Sequence, residues 1–145
     1  HDETGFPTAD SKEIETKLLR MHSKIDDHRD DIVQVDRTLL DDAEIGVFAY
    51  GSSARSARRA VHLAREKGIR VGMLRPKTLW PFADVEVREL AGRVKSIIVP
   101  ELNLGQIAHE VEWAVAGKVE VFKVNRVDGE PLTPGEILAR IEEVV

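Results

Sequence analysis

Cysteine is missing from all 145 residues. That excludes disulfides, thiolate nucleophiles, cysteine-held zinc and iron–sulfur ligation by this chain, and it fits a reducing cytoplasm. Asparagine and glutamine are scarce; Gln34, Asn103, Gln106 and Asn125 are all there are. With Lys, Arg and Glu plentiful, this leans towards a thermophilic source. A basic excess is lacking too. The 21 Lys and Arg face 26 Asp and Glu, leaving a net charge of −5, so the footprint of a nucleic-acid binder is absent. No apolar run approaches the ~18 residues that a membrane helix needs. The first residue is His1 rather than Met, and no signal peptide follows, which reads as a piece of a longer protein.

What is present has the balance of a soluble globular domain: 42% hydrophobic and 32% charged residues. Residues 1–9, HDETGFPTA, have turn composition. Asp10, followed by Glu13 three places on, forms a capping-box-like start. Ile14, Leu18, Met21 and Ile25 then draw one apolar stripe, which predicts a helix over 10–29. The run DDHRDD ends that stripe as a solvated boundary, because it lacks the fixed spacing and turn glycine of a calcium loop. We therefore divide the chain into a lead-in segment with a linking helix, 1–30, and an α/β domain, 31–145.

From residue 44 strands and helices alternate. Strands are predicted at 44–50, 69–75, 96–101 and 119–125. Helices are predicted at 54–68, 83–94, 104–118 and 133–145, the last with Thr133 as N-cap and Pro134 at its first position. Short links between alternating elements specify a mostly parallel sheet with helices on both faces, joined by right-handed crossovers.

Two loops could carry chemistry. Gly51, Ser52, Ser53 and Arg55 follow the first strong strand, where open α/β sheets bind ligands. Gly51 allows a tight turn, and free amides with Arg55 could meet an anion. Yet GxGxxG and a Walker lysine are absent, so the plainer reading is that Ser52 or Ser53 caps the helix. Glu101, Asn103, Gly105 and Gln106 form the second loop. Glu101 could act as acid or base if buried; the plainer reading has Asn103 capping the helix and Glu101 bonding loop amides. Both loops should lie on the carboxyl edge as near neighbours, with polar side chains facing solvent and available to an interface. The five histidines (His1, His22, His28, His62 and His109) show no HExxH spacing, and His109 with Glu112 offers too few ligands for a metal. Trp80 and Trp113 read as packing or interface residues. The residues alone give no catalytic set.

Four stretches in order, FAYGSSARSARRAV, GMLRPKTLWPF, VPELNLGQIAHEVE and VNRVDGEPLTPGEI, resemble the C-terminal part of the alpha subunit of 2-oxoacid:ferredoxin oxidoreductases, particularly the 2-oxoglutarate synthase type. HDETGFPT resembles the segment that leads into that domain. Ala83 is a departure, since the family commonly has a second proline there. The resemblance implies a three-layer α/β/α fold with a five-stranded, mostly parallel sheet, similar to the transketolase C-terminal domain. It also implies a reaction: a 2-oxoacid is decarboxylated on thiamine diphosphate, the acyl group passes to coenzyme A, and two electrons leave through iron–sulfur centres to ferredoxin. Thiamine diphosphate, magnesium and the cluster belong elsewhere in the complex, so no catalytic residue and no cofactor are assigned to this chain. Its expected partners are the beta subunit and the N-terminal domain of the same subunit, with neither nucleic acid nor membrane. Two alternatives stand beside this reading. One is the C-terminal domain of another thiamine enzyme, a transketolase or a 2-oxoacid dehydrogenase beta subunit. The other is a free-standing anion- or nucleotide-binding module built on Gly51–Arg55.

Overall fold

A computed structural model describes all 145 residues, which fall into two compact units, His1–Ile32 and Val33–Val145. In the first, α1 runs Ser11–Asp26 and α2 is a single turn, Arg29–Ile32. Asp10 caps α1 by accepting from the Glu13 amide at 2.8 Å. The reciprocal half of the expected box is missing. Glu13 is drawn away by Thr8, which donates to it at 2.9 Å, and by Lys17 at 2.7 Å, so its carboxyl falls below its ordinary pKa, with Lys17 the larger cause. The stripe of α1 is also not a core: the helix buries none of its residues, and Leu18 and Met21 are exposed.

The second unit holds a five-stranded sheet made of β1 (Val35–Thr38), β2 (Ile45–Phe48), β3 (Val71–Pro76), β4 (Ser96–Glu101) and β5 (Glu120–Asn125), in the order β1-β3-β2-β4-β5. β2 to β5 are mutually parallel, and β1 is an antiparallel edge strand on β3. Periodicity predicts four of these strands. β1 escapes it because VDRT is only four residues long, two of them charged, as suits an edge that must resist pairing with other chains. The turn after β1 passes close to β3 at Gly72, where a Cβ would sit 2.3 Å from the Leu39 carbonyl oxygen; only glycine admits that approach.

Between the strands lie α3 (Ser53–Glu66), α4 (Asp84–Ala91), α5 (Gln106–Val115) and α6 (Pro134–Val144). Strand side chains alternate between faces. Ile45, Val47, Met73 and Ile98 therefore join the α3 and α6 residues Ala57, Val61, Ile137 and Ile141 in one core. Phe48, Leu74, Ile97 and Val99 join the α4 and α5 residues Val87, Leu90, Val111 and Val115 in the other. α3 meets the sheet through alanines (54, 57, 60 and 64), small enough to let it lie close. α6 begins as its sequence specifies, with Thr133 and Glu136 forming a reciprocal capping box and Pro134 in the first turn.

This arrangement sets where a ligand would be sought. The link from β2 through α3 returns to β3 on one side. The link from β3 through α4 crosses to β4 on the other. The reversal leaves a crevice between the carboxyl ends of β2 and β4, the switch point at which open α/β sheets bind ligands.

Candidate functional site at the carboxyl edge of the sheet

The crevice is filled from within. Glu101 ends β4, and period two points it, like Ile97 and Val99, toward the α5 face. It is completely buried. Its Oε1 accepts from the Tyr50 hydroxyl at 2.8 Å, from Asn103 Nδ2 at 3.1 Å and from the Ile107 amide at 3.0 Å. Its Oε2 accepts from the Ala108 amide at 2.9 Å. The adjoining Asn103 Oδ1 takes the Gly105 amide at 2.7 Å and the Gln106 amide at 3.0 Å, while its Nδ2 also donates to the Tyr50 oxygen at 3.1 Å. Gly105 sits at φ +96, and a Cβ there would press on Asn125 and Lys123. The first amides of α5, which elsewhere attract an anion, are thus satisfied by a carboxylate and an amide of the same chain.

A general acid or base must reach a substrate proton. Glu101 has no exposure, and both its oxygens already hold donors, so its chemistry here is structural. The expectation that this loop turns its polar side chains to solvent is corrected for Glu101: the alternation of β4 drives it inward. Tyr50 was not singled out in the sequence, although it directly precedes Gly51. Burial, followed by the hydrogen bond to Glu101 and that residue's charge, pushes its pKa up from 10.0 to about 12.

The loop after β2 is built differently. Gly51 adopts φ +54 and turns the chain into α3. The expected serine cap is absent. Ser52 occupies the cap position with helical dihedrals, φ −68 and ψ −36, and its side chain makes no capping bond. A capping hydroxyl reaches the second or third amide from an extended backbone, which this turn does not provide. Ser53 is buried instead. The turn closes through its backbone, with the Ala54 amide donating to the Tyr50 carbonyl at 3.2 Å and the Arg55 amide to the Ser52 carbonyl at 3.1 Å.

Beside this turn lies an open-sided cavity of about 680 Å³, lined by Gly51, Ser52, Arg55, Ser56, Arg58 and Arg75. Arg58 and Arg75 were not foreseen. Arg58 follows Arg55 at i+3, a readable signal, whereas Arg75 arrives from β3. Arg75 contacts Asp36 at 3.6 Å, and Asp36 is held more closely by Lys77 at 2.7 Å. The Lys77 hydrogen bond, then the charges of Lys77, Arg75 and Arg58, keep the Asp36 carboxyl below its ordinary pKa. Arg55 and Arg58 are exposed and have no carboxylate at ion-pair distance.

Around both loops the edge carries exposed apolar side chains: Leu79 and Trp80 after β3, Leu102 and Leu104 after β4, Val127 after β5. The last three border a second depression of about 510 Å³ with Asn103, Gln106 and Arg126. Trp113 stands exposed on α5. No three His, Asp or Glu side chains converge as a metal would require. Asp128, in the Asp-Gly pair of the β5–α6 loop, is engaged by Arg126 at 2.9 Å and by the Glu130 amide at 3.1 Å. No helix is long and apolar enough to cross a membrane.

Residues 43–137 match the family described as pyruvate:ferredoxin oxidoreductase core domain II. The chain belongs to this family. The chain is 42% identical over 142 residues to the 2-oxoglutarate synthase subunit KorA of Methanothermobacter marburgensis, covering 97% of the chain and 38% of that relative. It is also 38% identical over 133 residues to the ketoisovalerate oxidoreductase subunit VorB of Methanothermobacter thermautotrophicus, covering 92% of the chain and 37% of that relative. The chain therefore spans well under half the length of these curated relatives. Among solved structures it resembles a 2-oxoglutarate:ferredoxin oxidoreductase from Magnetococcus marinus with 2-oxoglutarate, coenzyme A and succinyl-CoA bound. The TM-score is 0.84 at 26% identity, over 99% of the chain and 25% of that one. A split gene transketolase shares the fold, with a TM-score of 0.66 at 19% identity over 76% of the chain and 40% of the other.

Proposed function

We propose that core domain II serves here as a non-catalytic assembly domain in the alpha subunit of a cytoplasmic 2-oxoacid:ferredoxin oxidoreductase, from a heat-adapted source. The complex would convert a 2-oxoacid, 2-oxoglutarate on the reading we favour, and coenzyme A into acyl-CoA and carbon dioxide. Two electrons would pass to ferredoxin. The observation that carries this reading is the 42% identity to a 2-oxoglutarate synthase subunit across almost the whole chain. Relatives named for different 2-oxoacids share the domain at similar identity, so substrate choice is assigned to other parts of the assembly.

Thiamine diphosphate, magnesium and the iron–sulfur centre belong, on this reading, to other parts of the complex. The residues present fit neither the cluster nor the metal: cysteine is absent, and Asp128 is committed to Arg126. The chain contributes the carboxyl edge instead. Its loops are fixed from beneath by the Tyr50–Glu101–Asn103 network, while Leu79, Trp80, Leu102 and Leu104 stand ready to be covered by the N-terminal domain or the beta subunit. The test is to assay the complete subunits for coenzyme A-dependent ferredoxin reduction with 2-oxoglutarate and with 2-oxoisovalerate. We expect 2-oxoglutarate to be preferred, and Trp80→Ser with Leu104→Ser to weaken subunit association with a proportionate loss of activity. A complex that stays intact while turnover collapses would place this edge in the chemistry.

A further inference from the structure

We infer that the arginine-lined cavity beside α3 is a binding site for a diphosphate-bearing small molecule. The inference is independent of the assembly reading. Three guanidinium groups from two elements, Arg55 and Arg58 on α3 and Arg75 on β3, line one cavity of about 680 Å³. That volume lies within the ~300–1,000 Å³ usual for small-molecule sites. The charge comes from these side chains and not from the helix terminus.

Their state of pairing points to a missing anion. Most other cations of the sheet domain are met by carboxylates, among them Arg37 by Glu89, Arg59 by Glu66, Arg65 by Asp42, Lys123 by Glu112 and Arg126 by Asp128. The chain has acid to spare, with a net charge of −5. Yet Arg55 and Arg58, like charges one turn apart on the same helix face, have no carboxylate at ion-pair distance, an arrangement that disfavours the helix. No acid lines the cavity, and Asp36, the carboxylate that Arg75 meets, is shared with Lys77. Arg75 Nε is buried and meets no acceptor. Ser52, freed from the capping role, and Ser56 add hydroxyl donors to the lining.

The donor set selects the ligand. Guanidinium forks match phosphate oxygens in pairs of parallel hydrogen bonds. Two unpaired forks, with a third only loosely held, suit two linked phosphates better than one. The lining offers no aromatic side chain on which a base could stack, and its apolar part comes from small residues such as Ala54 and Pro131, so recognition rests on the anion. A bare diphosphate and the diphosphate of a nucleotide share this chemistry.

Calorimetry on this chain with pyrophosphate and with ADP tests the proposal. We expect saturable binding with a dissociation constant below about 1 mM, weakening as salt is added. Arg55→Gln with Arg58→Gln should weaken it at least about tenfold, the loss of one or more charge-assisted hydrogen bonds. Both residues are exposed, so circular dichroism should report an unchanged fold. Lys118→Gln, a cation of the opposite edge, should leave binding as it was. Equal affinity for the two probes means that the anion alone is read, and tighter ADP binding means a nucleotide. No saturable heat with either probe, binding that survives the double substitution, or an equal loss in Lys118→Gln would overturn the proposal.

Discussion

Two loops leave adjacent strands, β2 and β4, at the same edge of one sheet and handle the start of a helix in opposite ways. After β4 the chain supplies its own anion: Glu101 and Asn103 take up four amides at the start of α5, and Tyr50 closes the network. After β2 the serine that could cap α3 does not, and Arg55 and Arg58 beside it have no carboxylate at ion-pair distance. The contrast separates a site that folding has filled from one that folding leaves open. A carboxylate at a switch point thus proves structural, whereas a loop that reads as a simple cap borders an arginine-lined cavity.

The largest effect expected from breaking this contrast is on stability. Glu101→Ala would strand the Tyr50 hydroxyl and two helix amides in a buried site, each costing ~1–3 kcal/mol when unsatisfied. We expect a loss of about 3–4 kcal/mol in chemical denaturation, with the melting temperature falling by roughly 10–15 °C. A change below about 1 kcal/mol would mean that the network is ornamental. Next come the caps. Thr133→Ala should cost ~1 kcal/mol through loss of a true capping box, while Ser52→Ala should cost under about 0.5 kcal/mol. Equal losses at the two positions would show that Ser52 caps α3 after all. Smallest is the cationic side. Arg55→Gln with Arg58→Gln should shift stability by no more than about 0.5 kcal/mol, and towards greater stability, because the like charges no longer repel. A clear destabilisation would indicate that these arginines hold the fold.

How far these features could be read in the sequence follows from the reach of each signal. Apolar runs such as Ile45–Phe48 and Ser96–Glu101 announce strands locally, and Thr133-Pro134 with Glu136 announces a helix start within four residues. β1 carries too few residues and too much charge to show a period. The stripe on α1 has the right spacing for a buried helix, yet α1 buries none of its residues, because spacing says which face is apolar and not what covers it. Ser52 was misread because a residue preference does not fix the backbone dihedrals on which capping depends. The bond between Tyr50 and Glu101 joins residues 51 positions apart and exists only because β2 and β4 are neighbours, a fact of sheet order that no local pattern contains.

The central claim, that Glu101 closes the switch point from within, is tested most directly by titrating Tyr50. It is the only tyrosine, so phenolate absorbance after a rapid pH jump, read before unfolding, reports this one group. We predict a midpoint near 12, raised from 10.0 by burial and by Glu101. A raised folded-state pKa stabilises the fold fully below pH 10, and the contribution is lost as pH rises through about 12. In Glu101→Gln the midpoint should fall only part of the way towards 10.0, since burial, the largest cause, remains while the charge and the hydrogen bond to a carboxylate are gone. A wild-type midpoint at the ordinary value, or one that Glu101→Gln leaves unmoved, would contradict the account.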